Sequence, residues 1–204
     1  FRLGGWRNLD PTENDGEQLR NRILNSFDGP GLSRHPDSGD APWVRGKGRA
    51  HSENNIVPAA VLVPLVDRPD GMTVLLTQRT AHLKSHAGQI SFPGGRVEDT
   101  DLTPENTALR ETEEEIGLPR DRVELVGRLN ERKTGTGYHV VPVVGLIAPP
   151  FELTPDPGEV AEVFEVPLEF ALDPANHKFE TRVRGGIEQQ FYVLPYEDYY
   201  IWGL

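Results

Sequence analysis

Arg110-Glu111-Thr112-Glu113-Glu114-Glu115-Ile116-Gly117-Leu118 is the densest run of charge in this 204-residue chain. At about 100° per residue, Glu111, Glu114 and Glu115 stand at i, i+3 and i+4 and share one helical face, where three carboxylates repel one another. Hard divalent cations such as Mg²⁺ or Mn²⁺ take oxygen ligands, and a carboxylate trio joined by a backbone carbonyl of Gly94 or Gly95 supplies several at once. Metal binding would relieve the repulsion. The bland alternative is a solvated acidic face, which is what a bare E-x-x-E-E usually signifies.

A helix must present those acids. Leu109, Thr112 and Ile116 form a packing face on it, while Asn106 and Glu113 point to solvent. Thr103 and Pro104 read as N-cap and first helical residue, and Gly117 as the C-terminal stop. Arg110, four residues before Glu114, is placed to pair with it. Upstream, Phe92-Pro93-Gly94-Gly95 reads as a glycine turn that allows a ligand close to the backbone, followed by a short Arg96-Val97-Glu98 segment and a loop over 99–103.

These residues resemble the signature of the Nudix hydrolases, G-x5-E-x7-R-E-U-x-E-E-x-G-U with U aliphatic. Arg110, Glu111, Glu114, Glu115, Gly117 and Leu118 match it directly. Thr112 replaces the first aliphatic position, and the Gly95-to-Arg110 spacing is one residue longer, with Asp101 in place of the early Glu. Leu75-Leu76-Thr77-Gln78-Arg79-Thr80, Leu83, His86, Gly88-Gln89 and Phe92-Pro93-Gly94-Gly95 look like the extra motif of the coenzyme A diphosphatase branch. The resemblance spans about residues 57–204 and is most specific at its centre.

Composition sets outer bounds. The chain carries 21 Lys plus Arg against 32 Asp plus Glu, a formal charge of −11, which disfavours a broad phosphate-tracking surface for nucleic acid. With no cysteine, disulfides, zinc-thiolate sites and a thiol nucleophile are excluded. No run reaches the roughly 18 apolar residues that would span a bilayer, so the expectation is a cytoplasmic protein without membrane partners. The length suits one domain of ordinary size.

Along the chain, Asp10 and Pro11 read as a helix entry, with Leu19, Ile23, Leu24 and Phe27 recurring at helical spacing. Residues 28–55 read as an extended surface segment with Trp43 and Val44 as anchors and Arg45, Lys47 and Arg49 as a solvated basic patch. Segments 57–66 and 72–79 read as paired strands, and 81–88 as a polar loop. Strands are also expected at 123–129, 139–147 and 160–166, a short helix at 167–172, a hairpin of 178–184 with 189–194, and a terminal helix near Trp202. The expected organisation is an N-terminal helix and extended segment over 1–56 and a domain over 57–204, in which the segment before Val57 caps the site or forms a homodimer contact. Strands flanking the acidic helix make the class α/β, and the resemblance implies a Nudix-type α/β/α sandwich with a mixed sheet.

The resemblance also implies a reaction: metal-dependent cleavage of the pyrophosphate of coenzyme A or a derivative, giving 4′-phosphopantetheine and adenosine 3′,5′-bisphosphate. Glu111, Glu114 and Glu115, with Gly94 or Gly95, are the expected metal ligands, and Arg110 is an orienter. The general base is Glu111 within the cluster, or Glu159 or Glu162 arriving from the loop after Pro157. Arg79, Lys84 and His86 are candidate contacts for substrate phosphates, with a structural hydrogen-bonding role as the alternative for His86. The other readings are a Nudix pyrophosphatase acting on ADP-ribose, a dinucleotide or another nucleoside diphosphate, and a module that binds nucleotide without turnover.

Overall fold

A computed structural model describes residues 15–27, 56–82, 87–134, 137–184 and 187–203. The expected helix entry at Asp10 and Pro11, the 28–55 segment with Trp43, Val44 and its basic patch, and Lys84 and His86 lie outside the described residues.

Val- and Leu-rich stretches build the central sheet. The strands β1 (Val57–Val66) and β2 (Thr73–Arg79) form the expected antiparallel pair, with Leu65 opposite Val74. Next come β3 (Ile90–Ser91), β4 (Gly94–Arg96), β5 (Val123–Arg128), β6 (Arg132–Lys133), β7 (Tyr138–Ile147) and β8 (Val160–Pro167). The main path runs β3-β2-β1-β7-β5, while β4 pairs with β1, β6 with β7, and β8 with β2. Among the described residues only the β1 and β7 pairing is parallel, in register from Val57 opposite Tyr138 to Val66 opposite Ile147. The sheet is therefore mixed, and the crossover between its parallel strands carries the acidic helix.

Side chains on a strand alternate between faces, and here each face meets a different helix. Ala60 and Leu62 of β1 and Val141 and Val143 of β7 pack with Ala108 of α2 (Pro104–Ile116), next to a cluster of Val66, Leu75, Ile116, Leu118 and Ile147. On the other face Val63, Leu65, Val74, Leu76, Val144 and Leu146 pack with Leu19, Ile23 and Leu24 of α1 (Asp15–Ser26). Each fully buried Leu, Ile or Val contributes about 1.5–3 kcal/mol through the area it removes from water. Helix, sheet and helix form three layers, the α/β/α sandwich expected.

A short helix, α3 (Leu168–Leu172), follows β8 as expected, and β9 (Lys178–Arg184) pairs with β10 (Ile187–Tyr196) as the expected hairpin. The chain end differs from expectation. Residues 199–202 form β11 (Tyr199–Trp202), antiparallel to β10 with Ile201 opposite Leu194, and not a helix. Tyr, Tyr, Ile and Trp suit a pleated surface, and alternation buries Ile201 against the core while Tyr200 faces water. A second difference lies at the glycines. Gly94 and Gly95 do not form a free turn but belong to β4, with Gly94 opposite Val61 and Gly95 opposite Ala60. Only glycine fits at Gly94, where φ is +151° and a Cβ would come 2.4 Å from the Ala60 carbonyl oxygen.

Candidate active site

α2 begins and ends as its sequence dictates. The Thr103 hydroxyl accepts from the Asn106 N–H at 3.2 Å, Pro104 opens the helix, and Gly117 closes it in the left-handed region at φ 70°. Thr112 and Ile116 are buried, and Asn106 and Glu113 are exposed. The three acids meet three environments. Glu114 is exposed, Glu111 is half-buried, and Glu115 is only 5% exposed, since it lies on the inward stripe with Ala108 and Thr112.

Two arginines hold these carboxylates. Arg110 donates from Nη1 to Glu114 at 3.0 Å and pairs through Nη2 with Glu111 at 3.0 Å. It is anchored from behind, because Nε and Nη2 donate to Asp101 at 3.2 and 2.9 Å and Nη2 donates to the Arg96 carbonyl at 2.9 Å. Asp101 also accepts from the Glu98 N–H and the Thr107 hydroxyl, so the residue at the early acidic position is a brace for Arg110. Although burial pushes the Asp101 carboxyl up, these donors outweigh it and hold its pKa below the ordinary value. The same carboxylates hold the Arg110 guanidinium protonated more firmly than usual.

Arg79 serves the other pair. Its Nη1 donates to Glu115 Oε1 at 3.2 Å, and Nη2 lies 3.6 Å from Glu159 Oε2. Glu115 also accepts from the Gly94 N–H at 3.1 Å. Those contacts do not overcome desolvation: burial, with Glu111 and Glu159 nearby, pushes the Glu115 pKa up to about 7. Burial raises Glu111 as well, against the opposing pull of Arg110. Gly95 leaves room for Glu111, since a Cβ there would lie 2.4 Å from its carboxylate carbon.

Glu159 arrives on the loop before β8. The Asp156 N–H donates to the Glu115 carbonyl at 2.9 Å and the Thr154 N–H to the Ile116 carbonyl at 2.8 Å, which docks this loop on the C-terminal end of α2. Asp156 Oδ1 accepts from the Gly158 N–H at 2.7 Å, and the Thr80 N–H donates to the Glu159 carbonyl at 2.9 Å. The structure thus brings together Glu111, Glu115, Glu159, Arg79, Arg110, Gly94 and Gly95, with Glu114 at the rim. Glu162 goes elsewhere, accepting from the Tyr199 hydroxyl at 2.8 Å. Sequence reasoning did not single out Thr80 or Asp156 as positioning residues. The Asp156-Pro157-Gly158 turn was the one signal for the latter.

Among the described residues, no three His, Asp or Glu side chains are gathered closely enough to hold an ion as they stand, and guanidiniums contact the acids instead. The donor set nevertheless fits a hard divalent cation. Its ligands are carboxylate oxygens, two of them carry raised pKa values through burial and mutual repulsion, and two arginines do not neutralise four acids.

Comparison with known proteins gives the family. The NUDIX domain family matches residues 57–184, and the chain belongs to the Nudix hydrolases. It is 43% identical over 153 residues to the uncharacterized Nudix hydrolase NudL of Photorhabdus laumondii subsp. laumondii, covering 75% of this chain and 81% of that protein. Against the uncharacterized Nudix hydrolase NudL of Escherichia coli strain K12, identity is 44% over 146 residues, covering 72% and 76% respectively. A solved structure, the Nudix hydrolase RenU from M. smegmatis, is similar at 25% identity with a TM-score of 0.48, covering 61% of this chain and 81% of that one. The chain is accordingly an enzyme of the class that hydrolyses pyrophosphate bonds in nucleoside diphosphate derivatives, a class that generally uses divalent ions. No helix among the described residues is long and apolar enough to cross a membrane.

Proposed function

We propose that this chain cleaves the pyrophosphate bond of coenzyme A or a derivative, releasing 4′-phosphopantetheine and adenosine 3′,5′-bisphosphate, with Mg²⁺ or Mn²⁺ held by Glu111, Glu114, Glu115 and a carbonyl of Gly94 or Gly95. The observation that carries the chemistry is Glu115, a carboxylate buried beside β4 with a pKa of about 7 and Glu111 and Glu159 close enough to perturb it. A buried acid left short of positive charge is a site waiting for a cation. When bound, the divalent ion offsets charge on the bridging phosphate oxygens and acidifies a water.

The chain's own residues do the rest. Arg110, braced by Asp101, orients Glu111 and Glu114. The Gly94 N–H holds one oxygen of Glu115, and the β4 backbone admits the Glu111 carboxylate where a side chain would block it. Glu159, half-exposed on the loop docked to α2, takes the proton from the attacking water, with Glu111 as the other candidate. Arg79 contacts the substrate pyrophosphate, and Lys84 and His86, which lie outside the described residues, are candidate phosphate contacts on the strength of the sequence motif alone.

The choice of coenzyme A is supported by the second motif. Its two parts adjoin, since the Arg79 N–H donates to the Gln89 carbonyl at 3.0 Å and the Thr77 hydroxyl to the Ser91 carbonyl at 3.2 Å, and both abut the carboxylates through Arg79. The test is a panel of coenzyme A, an acyl-CoA, ADP-ribose and a dinucleoside polyphosphate, each assayed with Mg²⁺ or Mn²⁺ and with chelator, with products identified by mass. Coenzyme A is expected to give the two named products and to lead the panel. Faster turnover of ADP-ribose or the dinucleotide overturns the substrate assignment. Binding of nucleotide with no cleavage of any member overturns the catalytic reading.

A further inference from the structure

The end of β2 is irregular. Its register against β8 shifts between Gln78 and Arg79, so that Gln78 faces Glu162 while Arg79 faces Val160. The extra residue, Ala161, lies on β8, and the ladder is disrupted locally beside Arg79. Here Arg79 reaches out of its own sheet to α2 and to the 155–159 loop, with Nη1 3.2 Å from Glu115 and Nη2 3.6 Å from Glu159. The next residue fixes the same loop by backbone and hydroxyl: the Thr80 N–H donates to the Glu159 carbonyl at 2.9 Å, and the Thr80 hydroxyl to the Gly158 carbonyl at 3.3 Å. The loop is therefore held by Thr80 whether or not the guanidinium stays.

The contrast with Arg110 is chemical. Arg110 has Asp101 and the Arg96 carbonyl behind it, so its place does not depend on Glu111 or Glu114. Arg79 directs its guanidinium at Glu115 and Glu159, both acids of the site, and its side chain keeps 23% of its surface open. A guanidinium does not lose its proton in a protein, so it can leave these carboxylates only by moving. A divalent ion and a guanidinium sharing one carboxylate repel.

Building on the function proposed above, we infer that Arg79 is an exchangeable counter-ion: it pairs with Glu115 and Glu159 in the metal-free enzyme, yields Glu115 to the divalent ion and leaves Glu159 free, and then turns to the substrate's diphosphate. The ordering follows from charge. Glu115 faces a cation both before and after the ion arrives, and the substrate brings the negative charge that draws the released guanidinium.

Removing Arg79 should therefore do two opposite things, tightening metal binding while weakening substrate binding. Calorimetric titration of Mn²⁺ alone into the wild-type, Arg79→Gln and Arg79→Lys proteins at pH 8.5 reads the first effect. KM for coenzyme A, or for ADP-ribose if that is the compound turned over, reads the second. Arg79→Gln is expected to bind Mn²⁺ roughly tenfold more tightly, the scale of one charge-assisted hydrogen bond, and to raise KM by at least as much. Arg79→Lys should recover both in part. Unchanged or weaker Mn²⁺ binding in a folded Arg79→Gln protein overturns the inference, because a brace that merely shapes the site would lose affinity on removal. If Arg79→Gln does not fold, Arg79→Lys decides by the same sign, its loss of the planar fork giving tighter Mn²⁺ binding or refuting the exchange. A wild-type protein that binds no Mn²⁺ and cleaves no pyrophosphate defeats the proposed function, and the inference with it, which is a different result from normal wild-type binding with an inert Arg79→Gln change.

Discussion

Glu115→Gln should stabilise the metal-free enzyme while disabling it. The folded-state pKa of Glu115 is pushed up to about 7 from an ordinary 4.5, first by burial. The folded state thus favours the protonated acid. At about 1.4 kcal/mol for each tenfold change in proton affinity, ionising the group costs the fold about 3 kcal/mol. That value already contains the help from Gly94 and Arg79, so no separate deduction for the lost ion pair is due. The sign is fixed by linkage. Below about pH 4.5 the acid is neutral in both states and costs nothing; between about 4.5 and 7 the unfolded chain releases its proton first and stability falls; above 7 the penalty is complete. Glutamine keeps an oxygen for the Gly94 N–H and never ionises. Urea denaturation in chelator should show wild type and variant alike near pH 4.5 and the variant more stable by up to about 3 kcal/mol at pH 8, roughly 10 °C in melting temperature for a chain of this size. Excess Mn²⁺ should then reverse the order, because a ligand stabilises only the protein that binds it. A variant less stable than wild type at pH 8 without metal would refute the claim that Glu115 is a charge buried at a loss.

Two further perturbations separate the scaffold from the chemistry. At Gly95 an added Cβ meets the end of the Glu111 side chain at 2.4 Å, which can swing away, whereas at Gly94 it meets backbone, the Ala60 carbonyl oxygen at 2.4 Å and Val61 Cα at 2.5 Å. Gly95→Ala should therefore keep its denaturation midpoint and lose activity by about 10²-fold through misplaced Glu111, while Gly94→Ala should lose about 2 kcal/mol or more as β4 lifts off β1. The second perturbation concerns Glu105, whose carboxylate accepts from Arg128 Nε and Nη2 at 2.6 and 2.7 Å, tying α2 to β5. Burial pushes Glu105 up, but the Arg128 hydrogen bonds outweigh it and leave its pKa below the ordinary 4.5. Its contribution is therefore complete above the unfolded-state pKa and lost as pH falls through the lower folded value. Arg128→Met should cost about 3 kcal/mol at pH 7 and flatten the acid limb below pH 4.5, as read by urea denaturation across pH.

The local parts of this molecule were legible because local rules build them. Thr103, Pro104 and Gly117 fix the ends of α2 by capping and backbone preference alone, and the 3.6-residue period places Thr112 and Ile116 inward without knowledge of the sheet. What the chain did not disclose depends on partners distant in sequence. Tyr199 to Trp202 is a strand because β10 is there to pair with it, and Gly94–Arg96 is a strand because β1 offers Ala59, Ala60 and Val61. The burial of Glu115 has the same origin. Residues 111, 114 and 115 share an acidic face on a helical wheel, but 115 also follows 108 and 112 on the inward stripe, and β4 closes over it. No count along α2 reveals that lid. Likewise, the Pro155-Asp156-Pro157-Gly158 loop was visible as a loop, while its docking through the Asp156 N–H on the Glu115 carbonyl was not.

That docking lets one helix serve as both scaffold and proposed ligand set. The C-terminal carbonyls of α2 have no helical partners of their own, and those of Glu115 and Ile116 are satisfied by the N–H groups of Asp156 and Thr154. Glu115 therefore fixes the Glu159 loop with its backbone while its side chain stands beside the Glu159 carboxylate across Arg79. The helix end and the Glu159 loop are thus joined backbone to backbone at this point. Arg79, with its pairs on both sides of that joint, responds to the charge between them. Arg110, fixed to Asp101 on the preceding loop, does not. A site with one fixed and one releasable arginine can accept a divalent charge on the Glu115 side without disturbing the packing that places Glu111, and the opposite arrangement would have loosened the helix each time the site was filled.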